Sequence, residues 1–325
     1  MRLSAKTTTA VEALRRLISG SRRPLITVHR DPDTDAIGSA LAWAELLKQT
    51  GAQPTIWVAD ELDAYLRLLP GVDAIQRDWD DAASYDAIWV LDCSNLERVR
   101  QHERITGLQG RCPIVNIDHH ADNSLFGDVV VVDVISSVGE FLVWIAEQLA
   151  LPVTPTIATC LYAAICFDTG RFLYSNTTAQ TLEAAAILVR TGINPGDLGR
   201  QMFESVPSAA LSVLNVALSR MVIEPERRLA YTSLPAEVGV ETIKAVDFIR
   251  QIEDADIVVV FRDQGDGTIR VNLRSKRDIA VNTIAHQFGG GGHAKASGIK
   301  MVGSLETVMD KVLFAVRNAT DAVHQ

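Results

Sequence analysis

Pro24-Leu25-Ile26-Thr27-Val28-His29-Arg30-Asp31-Pro32-Asp33-Thr34-Asp35-Ala36-Ile37-Gly38-Ser39 passes from an apolar run, through a polar turn, into helical spacing. Pro24 to His29 reads as a short strand ending in a polar cluster, and Gly38 to Leu47 resumes an apolar period of three to four residues. The alternation recurs along the first half of the chain. Further strands are expected at Thr55 to Val58, Ala87 to Leu91 and Ile114 to Ile117, separated by helical or loop segments. Strands that alternate with helices predict a parallel sheet, because parallel neighbours need a crossover and the helix supplies it. In open sheets of this kind ligands gather at the carboxyl ends of the strands. Polar clusters follow three of the four runs: His29 to Asp35, Asp92, and Asp118-His119-His120. They are expected to face one cleft.

Working outward, 325 residues suffice for two domains, and 47% hydrophobic with 22% charged residues is ordinary globular composition. The first twenty residues lack an apolar run followed by a small-residue cleavage site, and no stretch reaches the roughly 18 apolar residues that span a bilayer. A cytoplasmic protein with no membrane partner is the expectation. Cys93, Cys112, Cys160 and Cys166 show no Cys-x-x-Cys spacing and sit mostly in apolar segments, so they read as small core residues. A net charge of −9 argues against gripping long nucleic acid through a basic surface, while leaving room for a short anionic ligand.

Helical patterns continue through Gly139 to Leu149, Thr156 to Phe167 and Thr178 to Arg190, and Ile193-Asn194-Pro195-Gly196-Asp197 breaks them. After a helical stretch ending near Ser219 the character changes. Arg228 to Leu234, Ile257 to Arg262 and Thr268 to Leu273 read as strands, with Gly265-Asp266-Gly267 as a turn. The expected architecture is α/β: a parallel-sheet domain with helices on both faces over 1–190, a helical linker over 191–218, and a smaller mixed α/β domain over 219–325.

His29, Asp33, Asp35, Asp92, Asp118-His119-His120 and Asp168 together are candidate ligands at the ends of apolar runs. Carboxylates gathered so closely raise one another's pKa unless positive charge sits among them, and divalent cations solve that problem. An Asp/His shell without cysteine suits Mn²⁺ or Mg²⁺, with histidine favouring manganese, and the number of candidates implies two ions. Paired ions clamp an attacked phosphate and activate water, which is the chemistry of phosphoester hydrolysis. Taken one at a time, these residues also fit blander roles, such as an acidic loop capping the next helix.

His29 to Ser39, Asp92, Asp118-His119-His120 and Asp168-Thr169-Gly170 together resemble, in order, the four motifs of the DHH phosphoesterase family. Phe288 to Gly298, with its four glycines and His293, resembles the signature of the DHH-associated C-terminal domain. The resemblance implies one metal held by His29, Asp33 and Asp92, and a second by Asp35, Asp92, His119 and Asp168, with Asp92 bridging. It makes His120 the group that contacts the phosphate or protonates the leaving oxygen, and Asp118 its support. Two Mn²⁺ ions are implied, with Mg²⁺ as the alternative, and a bridging hydroxide as the attacker on phosphorus.

In the second domain, Arg262, Arg274, Ser275 and Lys276 at strand ends supply polar and cationic groups. The glycine run Gly290, Gly291 and Gly292 permits close backbone approach to a ligand, and His293 is a further contact candidate. Arg98 is a weaker candidate for phosphate. By resemblance the substrates are short oligonucleotides (nanoRNA) and adenosine 3′,5′-bisphosphate (pAp). Long duplex nucleic acid is not expected as a partner, and a homodimer is admitted. Competing readings are cyclic di-AMP or pApA hydrolysis, a RecJ-like single-strand exonuclease, a family II pyrophosphatase, and a nucleotide-binding module without activity.

Overall fold

A computed structural model describes residues 5–80, 83–204, 208–238, 242–277 and 279–323. Two compact units divide the chain, Met1–Ser205 and Val206–Gln325. In the first, α1 (Ala5–Gly20) leads into β1 (Pro24–Val28), α2 (Thr34–Lys48), β2 (Thr55–Ile56), β3 (Ala87–Leu91), the one-turn α3 (Glu103–Thr106), β4 (Ile114–Asp118) and β5 (Val129–Val132). Helices α4 (Val138–Leu149), α5 (Pro155–Asp168), α6 (Ala179–Val189) and α7 (Pro195–Gly199) follow. The sheet order is β2-β1-β3-β4-β5, every pair parallel.

β1, β3 and β4 are buried along their whole length, which explains why they read as continuous apolar runs rather than alternating ones. One face of the sheet packs against the long helices around Trp43, Trp89 and Phe141. The other packs Trp57, Ile88 and Val90 against Ile105 of α3 and the loops that carry Trp79 and Tyr85. Each large side chain so enclosed contributes about 1.5–3 kcal/mol. Helix starts follow local chemistry: Asp33 caps α2 by accepting from the Ala36 amide, Ser137 caps α4, and Thr154 with Pro155 opens α5. At Gly38 a Cβ would lie 2.7 Å from the Cys160 carbonyl oxygen, so glycine there lets α2 rest directly on the backbone of α5.

The second unit contains α8 (Ser208–Ser219), β6 (Val222–Glu224), β7 (Leu229–Leu234), α9 (Thr242–Ile249), β8 (Ile257–Asp263) and β9 (Thr268–Ser275). It continues with α10 (Val281–His286), β10 (Gly291–His293), β11 (Ala296–Val302) and α11 (Leu305–Val323). Its sheet order is β10-β11-β9-β8-β7-β6, with β7–β8 parallel and the remaining pairs antiparallel. The stretch expected to connect the domains is shared between the units: Leu198 of α7 joins the first core, and Val213 and Ala217 of α8 join a core in the second. Among the described residues no helix is long and apolar enough to cross a membrane.

Candidate metal centre

Four chain segments deliver the polar side chains to one end of the parallel sheet. His29 follows β1, Asp33 and Asp35 open α2, Asp92 follows β3, and His119 and His120 follow β4. Asp168 comes from a different kind of element, the last turn of α5. Asp92 takes the left-handed region at φ 53, a conformation that aspartate tolerates better than most side chains. The turn directs its carboxylate back over the sheet end, where Oδ2 lies 3.5 Å from His29 Nε2 and Oδ1 lies 3.4 Å from His119 Nε2.

Three interlocking groups of ligand atoms result, the atoms within each lying inside 4.8 Å of one another: His29, Asp33 and Asp92; Asp35, His119 and Asp168; and Asp92, His119 and His120. Asp92 and His119 each belong to two groups. His119 Nε2 also lies 3.2 Å from Asp168 Oδ2 and 3.8 Å from Asp35 Oδ2.

Backbone carbonyls orient two of the imidazoles. His29 Nδ1 donates to the Arg30 carbonyl at 2.8 Å and His119 Nδ1 to the Ile135 carbonyl at 3.1 Å. A carbonyl can only accept, so in each ring Nδ1 carries the proton and Nε2 is turned to the carboxylates, the arrangement of metal-ligating histidines. His120 is held differently. Its Nδ1 donates to Asp118 Oδ1 at 2.7 Å, and Asn123 Nδ2 donates to Asp118 Oδ2 at 2.5 Å and to Asn116 Oδ1 at 2.9 Å.

Burial and mutual repulsion shape the electrostatics. Burial first, and then the neighbouring Asp92 charge, pushes Asp35 up to about 7 and raises Asp33 as well. Asp168 is raised well above the usual carboxylate range by burial and by the charges of Asp35 and Asp33. Burial alone would raise Asp92 too, but the imidazoles of His119 and His29 outweigh it and hold that carboxyl well below the ordinary range. Burial would pull His29 down, yet Asp92 lifts it to about 9, and His119 is lifted in the same way. Oxygen and imidazole donors so crowded form the set that a divalent cation neutralises, and they contain no thiolate. The residues fit hard or borderline metal ions.

The loop bearing His29 and Asp33 is itself pinned. Buried Asp60 accepts from the Asp31 amide at 3.0 Å and pairs with Arg100 at 2.6 Å, while the Arg30 amide donates to the Arg98 carbonyl. Sequence reading missed Asp60, Arg100, Asn116 and Asn123, which stand among unremarkable polar residues. The helix expected from Gly139 to Leu149 begins one residue earlier, at Val138, where Ser137-x-x-Glu140 before an apolar run carries a capping signature.

In the second unit, Arg262 is partly buried at the end of β8 and register-paired with Arg270. Burial and that second guanidinium lower its pKa from the ordinary arginine value. Arg274 donates to the Leu273 carbonyl at 3.1 Å, Ser275 to the Arg277 carbonyl at 3.1 Å, and the Lys276 ammonium to the Ile252 carbonyl. Gly290 and Gly292 are needed by the fold: a Cβ would meet the Gly298 carbonyl oxygen at 2.3 Å and the Ala296 carbonyl oxygen at 2.6 Å. Gly291 differs, since its nearest neighbour would be His286 Nε2 at 3.8 Å. Residue His293 pairs in register with Ala296 on β11, and its side chain lies outside the described residues.

Comparison with known proteins agrees with this geometry. The DHH family N-terminal domain matches residues 23–165, and the DHHA1 domain matches residues 228–320. A bifunctional oligoribonuclease and PAP phosphatase NrnA from Thermus thermophilus is 30% identical over 296 residues, covering 90% of this chain and 88% of its own. Among solved structures, an exopolyphosphatase-related protein from Bacteroides fragilis superposes with a TM-score of 0.88 at 22% identity, covering 98% of each chain. RecJ from Thermus thermophilus in complex with Mn²⁺ shares the fold at a TM-score of 0.56 and 15% identity, covering 98% of this chain and 55% of that one. The chain belongs to the DHH family of phosphoesterases, in the branch that carries a DHHA1 domain after its DHH domain.

Proposed function

We propose that this metal-dependent phosphoesterase hydrolyses very short oligonucleotides to mononucleotides and converts pAp to AMP. The observation that carries the reading is the interlocked set of ligand atoms in which Asp92 and His119 are each shared between groups. The bifunctional activity named for the Thermus relative, matched over most of both chains, supports the choice of substrates.

In this reading His29, Asp33 and Asp92 hold one ion, and Asp35, Asp92, His119 and Asp168 hold the other. The histidines in the set favour manganese, with magnesium as the alternative. When bound, such a pair neutralises the carboxylates, lowers the pKa of water and draws charge from the phosphoryl oxygens. The chain's own contribution begins with position. His29 and His119 are locked with Nε2 toward the carboxylates, so little rearrangement precedes binding. His120, tied through Nδ1 to Asp118, has Nε2 to give a proton to the leaving oxygen as the phosphorus–oxygen bond breaks. Asp118 holds that ring in one orientation. Arg262 and the backbone at Gly291 are the proposed contacts for the remainder of a short anionic substrate, a guanidinium being suited to bidentate phosphate binding.

Purified protein with Mn²⁺ should consume pAp and a ladder of two- to five-nucleotide RNAs, and leave long single-stranded DNA intact. Cyclic di-AMP and pApA belong in the same panel. Preference for either would shift the reading to cyclic-dinucleotide turnover, and hydrolysis of pyrophosphate alone would overturn it.

A further inference from the structure

The carboxyl ends of the strands place His29, Asp92 and His119, but Asp35 and Asp168 reach the centre from helices. Something must hold those helices in register with the sheet. Several of the contacts that do this meet in one short segment, Ile135 to Gly139, which runs from the loop after β5 into the first turn of α4.

The Ile135 carbonyl accepts from His119 Nδ1 at 3.1 Å. The amides of Val138 and Gly139, the first of α4, donate to Asp35 Oδ2 at 2.7 Å and Oδ1 at 2.8 Å. Asn176 Nδ2 bridges the Ser136 carbonyl and the Asp168 carbonyl, each at 3.1 Å. Thus one segment touches Asp35 and His119 directly and reaches Asp168 through Asn176. The His29, Asp33 and Asp92 group has no such contact with it among the described residues.

The segment is anchored from behind. Buried Glu140 accepts from the hydroxyl of Ser136, from Thr181 Oγ1 at 2.8 Å and from Trp144 Nε1 at 3.2 Å, so its carboxylate ties the turn to α4 and α6. At Gly139 a Cβ would lie 2.5 Å from Ala164 Cβ, which brings the start of α4 directly onto α5 a single turn before Asp168. A fully bonded carboxylate buried among neutral donors holds geometry firmly, because any displacement strands polar groups away from water.

We propose that Ile135–Gly139, fixed by Asn176 and Glu140, is a positioning frame dedicated to the Asp35, His119 and Asp168 ion site. Asn176 and Glu140 are positioning residues for that site and not for its neighbour. The inference rests on the two-ion reading above, and its test does not depend on any substrate.

Mn²⁺ alone, titrated into the full-length protein and followed by the electron paramagnetic resonance of the free ion, reads both the number of sites and their affinities. Asn176→Asp keeps the side chain's shape and removes both donated bonds. It should weaken one of two sites by about 10–100-fold and leave the other at parental affinity. In an Asp33→Asn background, which spares only the framed group, Asn176→Asp should weaken the remaining site by the same factor. In an Asp168→Asn background it should change nothing. Glu140→Gln, which keeps the packing and one acceptor, should weaken the same site by a smaller factor, and it decides the matter if Asn176→Asp does not fold. Parental affinity at both sites, or equal weakening of both, would overturn the frame. A parent chain that binds no Mn²⁺ would overturn the two-ion reading along with it.

Discussion

His120 Nδ1 lies 2.7 Å from Asp118 Oδ1, so two residues at one strand end form a bonded pair that fixes the orientation of the imidazole. Asp118 is completely buried and takes a further bond from Asn123, which fixes the carboxylate that fixes the ring. Asp118→Ala should therefore lower kcat on pAp by about 10–100-fold with KM little changed, since the imidazole remains but is no longer aimed. Steady-state kinetics at saturating Mn²⁺ reads this directly, and an unchanged kcat would remove Asp118 from the mechanism.

Asp92 is the carboxylate shared by two ligand groups, and it sits at φ 53. Asp92→Asn keeps a side chain that tolerates this backbone while removing the charge. Turnover should fall to background and Mn²⁺ uptake should drop, with the fold intact by circular dichroism. Near-normal rates in this variant would contradict the two-ion assignment.

The glycine run separates into fold and function. Gly290→Ala forces a Cβ to 2.3 Å from the Gly298 carbonyl oxygen and should cost about 1–3 kcal/mol in denaturant unfolding. Gly291→Ala meets only ordinary contacts, with His286 Nε2 at 3.8 Å, and should leave stability within about 0.5 kcal/mol. If the run touches substrate, Gly291→Ala raises KM without lowering the melting temperature. Unchanged KM would make the run purely structural.

Asp86 carries a pH dependence of stability. Burial alone would raise its pKa, but bonds from the Ser21 hydroxyl and from the amides of Arg22 and Arg23 hold it below the ordinary value of 3.8. A depressed folded-state pKa means that the unfolded chain binds the proton more readily. The stabilisation is complete above the unfolded value and is lost as pH falls from there through the folded one. Asp86→Asn should accordingly lower the melting temperature at pH 6 and narrow its gap to the parent below pH 4. A gap that stays constant with pH would exclude the ionised carboxylate as its source.

The strand ends were legible because each buried strand is a continuous apolar run and each polar cluster begins where burial stops. Thr55–Ile56 proved shorter than the expected Thr55 to Val58, and Asp118 lies inside β4 rather than after it. Val129–Val132 was not read as a strand: it is an edge, only partly buried, and its pairing with β4 is set by residues outside the local run. β10 and β11 went unread, because a strand such as Gly291–His293 owes its existence to the neighbour it pairs with rather than to its own propensity, whereas α11 carries a helical apolar period in Val308, Val312, Leu313 and Val316 that the reading passed over.

By itself the sequence determined the inventory: which carboxylates and imidazoles exist, that they stand at the ends of buried runs, and that their order matches one family. Tertiary structure alone decided how they are grouped and aimed. The Ile135 carbonyl, the Val138 and Gly139 amides and the Asn176 bridge have no sequence signature, because every residue has a backbone and only packing selects the groups that meet. Spacing along a chain can place a ligand at a strand end. Its direction comes from hydrogen bonds to distant segments, which is why Asp35, His119 and Asp168 converge only in the folded protein.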